Sequence, residues 1–348
     1  MAIFPFQYMT KISWATTVVG SFPRENTDAN MNKAFQDQID AGIDYPCYPQ
    51  LVSMIDQFLG PLAEIPDSGL VKKGDKYWLE SELKVPEEPV ATEYGQFVLD
   101  FLERNPDAKS KIKGWKACLT GPFTLAGEIM VPKEMIGDTR VMVYQEPRAI
   151  MNGNLVAQLA KLMAKIANAY NDMGADIISM DEPTLGLIVG RRRAFFHKDD
   201  EIIATLNEAI RPITGASSVH VCGNVSPKLR EILLSTNVTI LDHEFANGNN
   251  EGLFNRNMFE RTDKSLAYGV LKTNVQEKEG GTLETYVEDT STIKKRMEAA
   301  IDSIGKENLI FKPDCGFGGL LAVFGEKFAS EIVKEKLTRL TKTMQELE

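Results

Sequence analysis

The amino-acid sequence predicts an α/β protein of the (β/α)8, or TIM, barrel class. Eight short β-branched segments end in polar or glycine-containing turns, most are followed by a stretch of helical period, and the chemically unusual residues gather at the segment ends. An open doubly wound sheet is the competing architecture. A nucleotide-binding version of it would place a G-x-G-x-x-G turn after the first strand, and none occurs there.

In chain order the candidate strands begin with TTVVGSFP near 16 and GIDYP near 42. The stretch from about 60 to 112 is polar, rich in proline and charge, and longer than a simple connection. It reads as an excursion over the barrel mouth, with residues 1–348 otherwise forming a single barrel domain. WKACLTGP near 115 is the third strand, followed by a helical pattern over 153–174 and by ADIISMDEP near 175. A helix starting at 199 precedes SSVHVCGN near 217, and PKLREILLS from 227 precedes VTILDHEF near 238. LAYGVLKT near 266, a helix from 292 and NLIFKPDCG near 308 complete the series. In the last helix Phe328, Ile332, Val333, Leu337, Leu340 and Met344 recur at steps of three or four and line one face.

Composition narrows the function classes. At 348 residues, with 43% hydrophobic and 25% charged side chains, the chain is an ordinary globular enzyme by makeup. No stretch approaches the roughly 20 apolar residues of a membrane helix. The start, MAIFPFQYMTKISW, lacks the basic, apolar and small-residue zones of an export signal, so a cytoplasmic location is the expectation. Acidic residues outnumber basic ones 49 to 39, and the net charge of -10 would repel a phosphate backbone, which excludes nucleic acid as a partner class. GRRRAFFHK at 190–198 is the one basic cluster and reads as a solvated loop in preference to an anion or partner contact. Four cysteines, Cys47, Cys118, Cys222 and Cys315, are too few and scattered for a disulfide framework, so those beside histidine, aspartate or glycine become candidates for metal or nucleophile chemistry.

His220 and Cys222 alternate along one strand, so both side chains share a face, which in a barrel is the interior. Cys315 closes the eighth candidate strand and Glu244 the sixth. If these ends converge they offer an N, S, S, O set suited to tetrahedral zinc. Taken singly, each cysteine reads as a small buried hydrophobe and His220 as a hydrogen-bonded core residue; their joint position at strand ends favours metal. Asp181 reads either as a site carboxylate or as a helix N-cap, and Glu182 as that cap or as an anchor for a ligand.

Taken together, TTVVGSFPR at 16–24, LTGPFTL at 119–125, MDEPTLG at 180–186, VHVCGN at 219–224, DHE at 242–244 and PDCG at 313–316 form an ordered set across nearly the whole chain. In order and rough spacing the set resembles the C-terminal catalytic half of cobalamin-independent methionine synthase, in a short form of that family. The resemblance implies a (β/α)8 barrel and a Zn2+ ion held by His220, Cys222, Glu244 and Cys315. It also implies homocysteine as substrate, its amino group paired with Asp181 and its carboxylate held by the loop of Val19, Gly20 and Ser21. The homocysteine sulfur would displace Glu244 from the metal and attack a methyl carbon in line, giving methionine. A free thiol, with a pKa near 8.5, is mostly protonated at neutral pH, and a metal-bound one is not. His243 is an alternative ligand, which alternation turns away from the barrel interior.

The chain departs from the family pattern on the side of the methyl donor. Glu128 stands where a tryptophan is expected and Leu187 where an acidic residue is, and no histidine follows His243 to protonate a departing pterin nitrogen. A glutamate that helps hold the amino group is missing around DYPCYPQL at 44–51. Asp44 is its possible substitute, and Cys47 has no assigned role. Cobalt(I) leaving a methylcorrinoid needs no proton, so a methylated corrinoid protein is the favoured donor, with a methyltetrahydropterin as the other. No D-x-H-x-x-G signature occurs, so the chain is not expected to carry its own corrinoid. Competing readings are transfer to another thiol such as coenzyme M, a zinc hydrolase using Asp181 or Glu182 as base, and a non-catalytic zinc or amino-acid-binding barrel.

Overall fold

The structure, a computed structural model, describes residues 11–140 and 144–348. The first ten residues, part of the stretch read above for an export signal, lie outside the described residues. In chain order the strands are β1 (Ala15–Thr16), β2 (Leu70–Lys73), β3 (Lys76–Leu79), β4 (Lys116–Thr120), β5 (Ile129–Met130), β6 (Ile177–Asp181), β7 (Ala216–Val221), β8 (Ile240–His243), β9 (Ser265–Leu271) and β10 (Leu309–Pro313). Seven of them form one parallel sheet in the order β1-β10-β9-β8-β7-β6-β4.

The open edges of that sheet, β1 and β4, are joined by the segment around Tyr45–Cys47, which makes parallel bridges from Tyr45 to Thr17 and from Cys47 to Lys116. The ring thus closes as a (β/α)8 barrel. Each of the eight predicted strands has a counterpart, but the second is a bridging segment instead of a full strand. Pro46 sits at its centre and has no N–H to continue a ladder. Its carbonyl still accepts from Lys116 N at 2.9 Å, and Tyr45 N donates to Thr16 O at 3.0 Å.

Helices cover the outside. Helix Gly153–Asp172 is capped by Asn152, whose side chain accepts from the N–H groups of Asn154 and Leu155. It buries Leu155, Val156, Leu159, Leu162, Met163 and Ile166, each large aliphatic side chain contributing about 1.5–3 kcal/mol of transfer free energy. In the final helix, Leu320–Gln345, Ile332, Val333, Leu337, Leu340 and Met344 are buried as their spacing predicts. Phe328 is half-buried against Tyr286 and Phe324. Gly325, at φ +70°, breaks the helix just before that face begins.

Residues 60–112 contain two different structures. The hairpin β2–β3 pairs with β5, which follows the carboxyl end of β4, and so stands on the side where the parallel strands end. Helix Glu93–Arg104 joins the outer layer, with Phe97 and Phe101 edge-on to Phe35 and Tyr94 stacked on Tyr48. Among the described residues no helix is long and apolar enough to cross a membrane.

The barrel interior is layered. Ala15, Ile177, Ala216, Ile240, Ala267 and Ile310, with Ile12, form a separate apolar cluster at the amino ends of the strands. Two residues further along several of the same strands the inward positions become polar: Ser179, Ser218, Asp242 and Lys312 are all buried. One step further lie Asp181 and His220, at the ends where barrel enzymes place their chemistry.

Candidate metal centre and amino-acid site

Strand register builds the centre. Asp181 is paired with His220 across β6–β7, and His220 with Asp242 across β7–β8, so three polar residues stand side by side in adjacent strands. His220 is fully buried, with Nδ1 2.6 Å from Asp242 Oδ1 and Nε2 3.0 Å from Cys222 Sγ. Cys222 Sγ lies 3.2 Å from Cys315 Sγ. The ligand atoms of His220, Cys222 and Cys315 fall within 4.8 Å of one another, the one such group of three or more metal-binding side chains among the described residues.

The electrostatics suit a cation. Burial pushes the His220 imidazole down, but the charge of Asp242 and its hydrogen bond outweigh this and raise it to about 10. The hydrogen bond between the two thiols raises Cys222 and holds Cys315 well below the usual thiol range. A divalent ion would displace these protons. A carboxylate behind the distal imidazole nitrogen is the arrangement that fixes a metal-binding histidine, and two sulfurs with one nitrogen match the donor preferences of zinc. The residues therefore fit a metal.

Glu244 stands beside this group and not within it. Its Oε1 accepts from Gly223 N at 2.9 Å, the amide next to Cys222, and its Oε2 lies 3.4 Å from Asn247 Nδ2. Asp314 holds the loop that follows Glu244, with Oδ1 accepting from Phe245 N and Ala246 N at 2.9 Å each and Oδ2 from Asn247 N at 3.1 Å. His243 faces outward, buried, stacked on Phe254, and pushed down to about 3 by burial. It takes no place in the cluster.

Asp181 is buried, and its Oδ1 has no hydrogen-bond partner among the described residues. Burial raises its carboxyl to about 6. A carboxylate in this state is an open acceptor for a cationic ligand. Asp181 is not the cap of the helix that follows it. Glu182 is the capping group, but for a different helix: it accepts from Phe123 N at 3.0 Å, Thr124 N at 2.9 Å and Thr124 Oγ1 at 2.7 Å, closing the amino end of Pro122–Glu128. The reading of Glu182 as an anchor for a metal ligand is corrected accordingly.

The Val19–Ser21 loop packs beside the Cys315 turn. Phe317 N donates to Ser21 O at 2.9 Å, and Gly318 N to Ser21 Oγ at 3.3 Å, which leaves the hydroxyl hydrogen to donate. Gly20, at φ +146°, has its absent Cβ position 2.6 Å from Cys118 Sγ and 3.2 Å from Cys47 Sγ. No other residue fits there. Cys47 is thus a buried packing partner of this loop, raised chiefly by burial and by its hydrogen bond with Cys118.

Asp44 does not reach the site. It lies at the amino end of the barrel, where Oδ2 accepts from Thr16 N at 2.8 Å and Thr16 Oγ1 at 3.1 Å, with Lys113 Nζ 3.1 Å from Oδ1. Leu187 is 62% exposed on the short helix after Asp181, and Glu128 is exposed. Arg191, Arg192 and Arg193 are exposed on a hairpin closed by the Val189–Ala194 bridge and form no ion pair among the described residues.

Sequence reasoning missed Asp242, Lys312 and Lys116. All are buried, and both ammonium groups lie within 4 Å of the Asp242 carboxylate. The available signal was a charged residue inside otherwise apolar strands, in WKACL and LIFKP, and the alternation that turns Asp242 and Glu244 the same way.

Residues 81–251, which include the strand ends carrying Asp181, His220 and Cys222, match the uroporphyrinogen decarboxylase (URO-D) family model. The chain is 28% identical to a methionine synthase of Methanothermobacter marburgensis, over 95% of this chain and 99% of that protein. Its fold is similar to a B12-independent methionine synthase from Shewanella sp. W3-18-1, solved in complex with selenomethionine, with a TM-score of 0.66 at 16% identity over 97% and 98% of the two chains. It is likewise similar to a putative vitamin-B12 independent methionine synthase from Listeria monocytogenes, with a TM-score of 0.67 at 16% identity over 98% and 99%.

Proposed function

We propose that the protein is a zinc-dependent methyltransferase that transfers a methyl group to the thiol of homocysteine, forming methionine. The observation that carries this reading is the convergence of His220 Nε2 and the two sulfurs of Cys222 and Cys315 next to the unpartnered carboxylate of Asp181. The relatives named methionine synthase support the same reaction class.

His220, Cys222 and Cys315 would hold the ion, with Glu244 as the exchangeable fourth ligand. Zinc there supplies one thing: it keeps an incoming thiol in its nucleophilic, deprotonated form. The chain does the rest. Asp181 receives the ammonium, the Ser21 hydroxyl and the backbone of Val19 and Gly20 take the carboxylate, and the amino acid is thereby oriented with its sulfur toward the cysteines. The ammonium clamp disfavours coenzyme M, which has no amino group for Asp181 to bind. A methylcorrinoid brought by a separate protein is the donor that the absent histidine favours, and a methyltetrahydropterin is the alternative.

Zinc-edge X-ray absorption with and without homocysteine tests the reading. An added Zn–S contact is expected, and an unchanged shell would instead fit a hydrolase or a binding protein. Replacing Cys222 or Cys315 with serine is expected to remove zinc and abolish transfer, read by elemental analysis and a methionine assay; full metal and full rate in either variant would overturn the ligand set. Single-turnover assays offering methylcobalamin, methyltetrahydrofolate and methyltetrahydromethanopterin in parallel identify the donor.

A further inference from the structure

Beneath the metal centre lies a buried charged group that the chemistry above does not use. Lys312 Nζ is 2.7 Å from Asp242 Oδ1, the same oxygen that meets His220 Nδ1 at 2.6 Å. The same ammonium donates to the carbonyls of Pro313 at 2.9 Å and Asp314 at 2.8 Å. The Asp314 carbonyl belongs to the peptide that leads into Cys315. One cation therefore ties the support behind the His220 ring to the backbone that aims the Cys315 sulfur. On the other side Lys116 Nζ sits 3.7 Å from Asp242 Oδ2 and donates to Val18 O at 2.8 Å, at the root of the Val19–Ser21 loop.

Core stability alone does not account for this arrangement. Lys312 and Asp242 are both 0% exposed, and taking such charges out of water offsets what their attraction returns, so apolar residues of similar volume fill a barrel at least as well. The apolar layer directly below, with Ile240 and Ile310 on the same two strands, shows that β8 and β10 accept that solution.

We propose that Asp242 and Lys312 are positioning residues for the metal centre, an inference that rests on the zinc reading above. Asp242 keeps the His220 proton on Nδ1 and so leaves Nε2 for the ion. Lys312 locks that carboxylate and the Cys315 turn into one spatial relation.

The test compares wild type with the double variant Asp242→Asn, Lys312→Met, which removes these two charges together and leaves Lys116 its bond to Val18 O at 2.8 Å. Zinc affinity is measured by chelator competition, the Co2+-substituted site by its visible absorption, and folding by circular dichroism of the metal-free chains. The double variant is expected to fold as wild type does, to bind zinc roughly 10- to 100-fold more weakly and to show an altered Co2+ spectrum. A folded double variant with wild-type affinity and spectrum overturns the proposal, as does a double variant that fails to fold, since the pair would then be structural. A wild-type chain that takes up no zinc defeats the parent reading, and this one with it, before any variant is compared.

Discussion

At the scale of single residues, Asp181 is the most exposed to test. Its carboxyl, lifted to about 6 by burial, accepts an ammonium only when ionised. Affinity for homocysteine should therefore fall as pH drops through about 6, by up to about tenfold per pH unit. Asp181→Asn should weaken binding roughly 10- to 100-fold at neutral pH, the equivalent of about 1.5–3 kcal/mol for a hydrogen bond to a charged group, and should lose this part of the pH dependence while zinc stays in place. Calorimetric titration between about pH 5 and pH 8 reads both effects, and equal affinity in the two proteins would count against the clamp. On folding the same shift has a different sense: a carboxyl held above its unfolded value gives up stability as pH rises through about 6. The surroundings of Asp181, His220 and the two cysteines, gathered at strand ends, were legible from side-chain chemistry. Those of Asp44, Glu182 and Asp242 were not, because a carboxylate's partners depend on which backbone N–H or ammonium lies beside it, and adjacency across strands is written in register and not in local pattern.

At the scale of elements, the loops that carry the site are held by carboxylates that seize backbone amides. Glu182 grips the amino end of helix Pro122–Glu128 from the neighbouring strand end, and Gly121 permits this because a Cβ there would stand 2.2 Å from Glu182 Cδ. Glu182→Gln keeps the shape but turns one acceptor into a donor facing an N–H group. A loss of about 1–3 kcal/mol is expected, read as a lower thermal midpoint. Strands and helices were readable because their periods repeat over several residues. The second barrel segment was placed correctly by its GIDYP pattern, yet its reduction to two bridges follows from Pro46 and the partners on either side. The hairpin within 60–112 could not be read from a stretch whose polarity resembles that of any loop.

At the scale of the whole molecule, the two ends of the barrel divide stability from function. Asp44 belongs to the amino end. Asp44→Ala should cost about 1–3 kcal/mol through the lost bonds to Thr16, seen in denaturant unfolding, and should leave zinc content and homocysteine affinity as in wild type. A changed affinity would place Asp44 in the site after all. The closing segment carries a consequence of its own. Around most of the ring, peptide groups stitch neighbour to neighbour, and such stitching is nearly blind to residue identity. Between β1 and β4 fewer peptide groups pair, and individual side chains add to them: Thr17 Oγ1 donates to Tyr45 O, Gln38 brackets Cys47 through both its N–H and its carbonyl, and Lys116 reaches Val18. This is the stave of the barrel that substitution can loosen or tighten without redrawing the fold, and the Val19–Ser21 loop, proposed above to take the amino acid, is mounted on it.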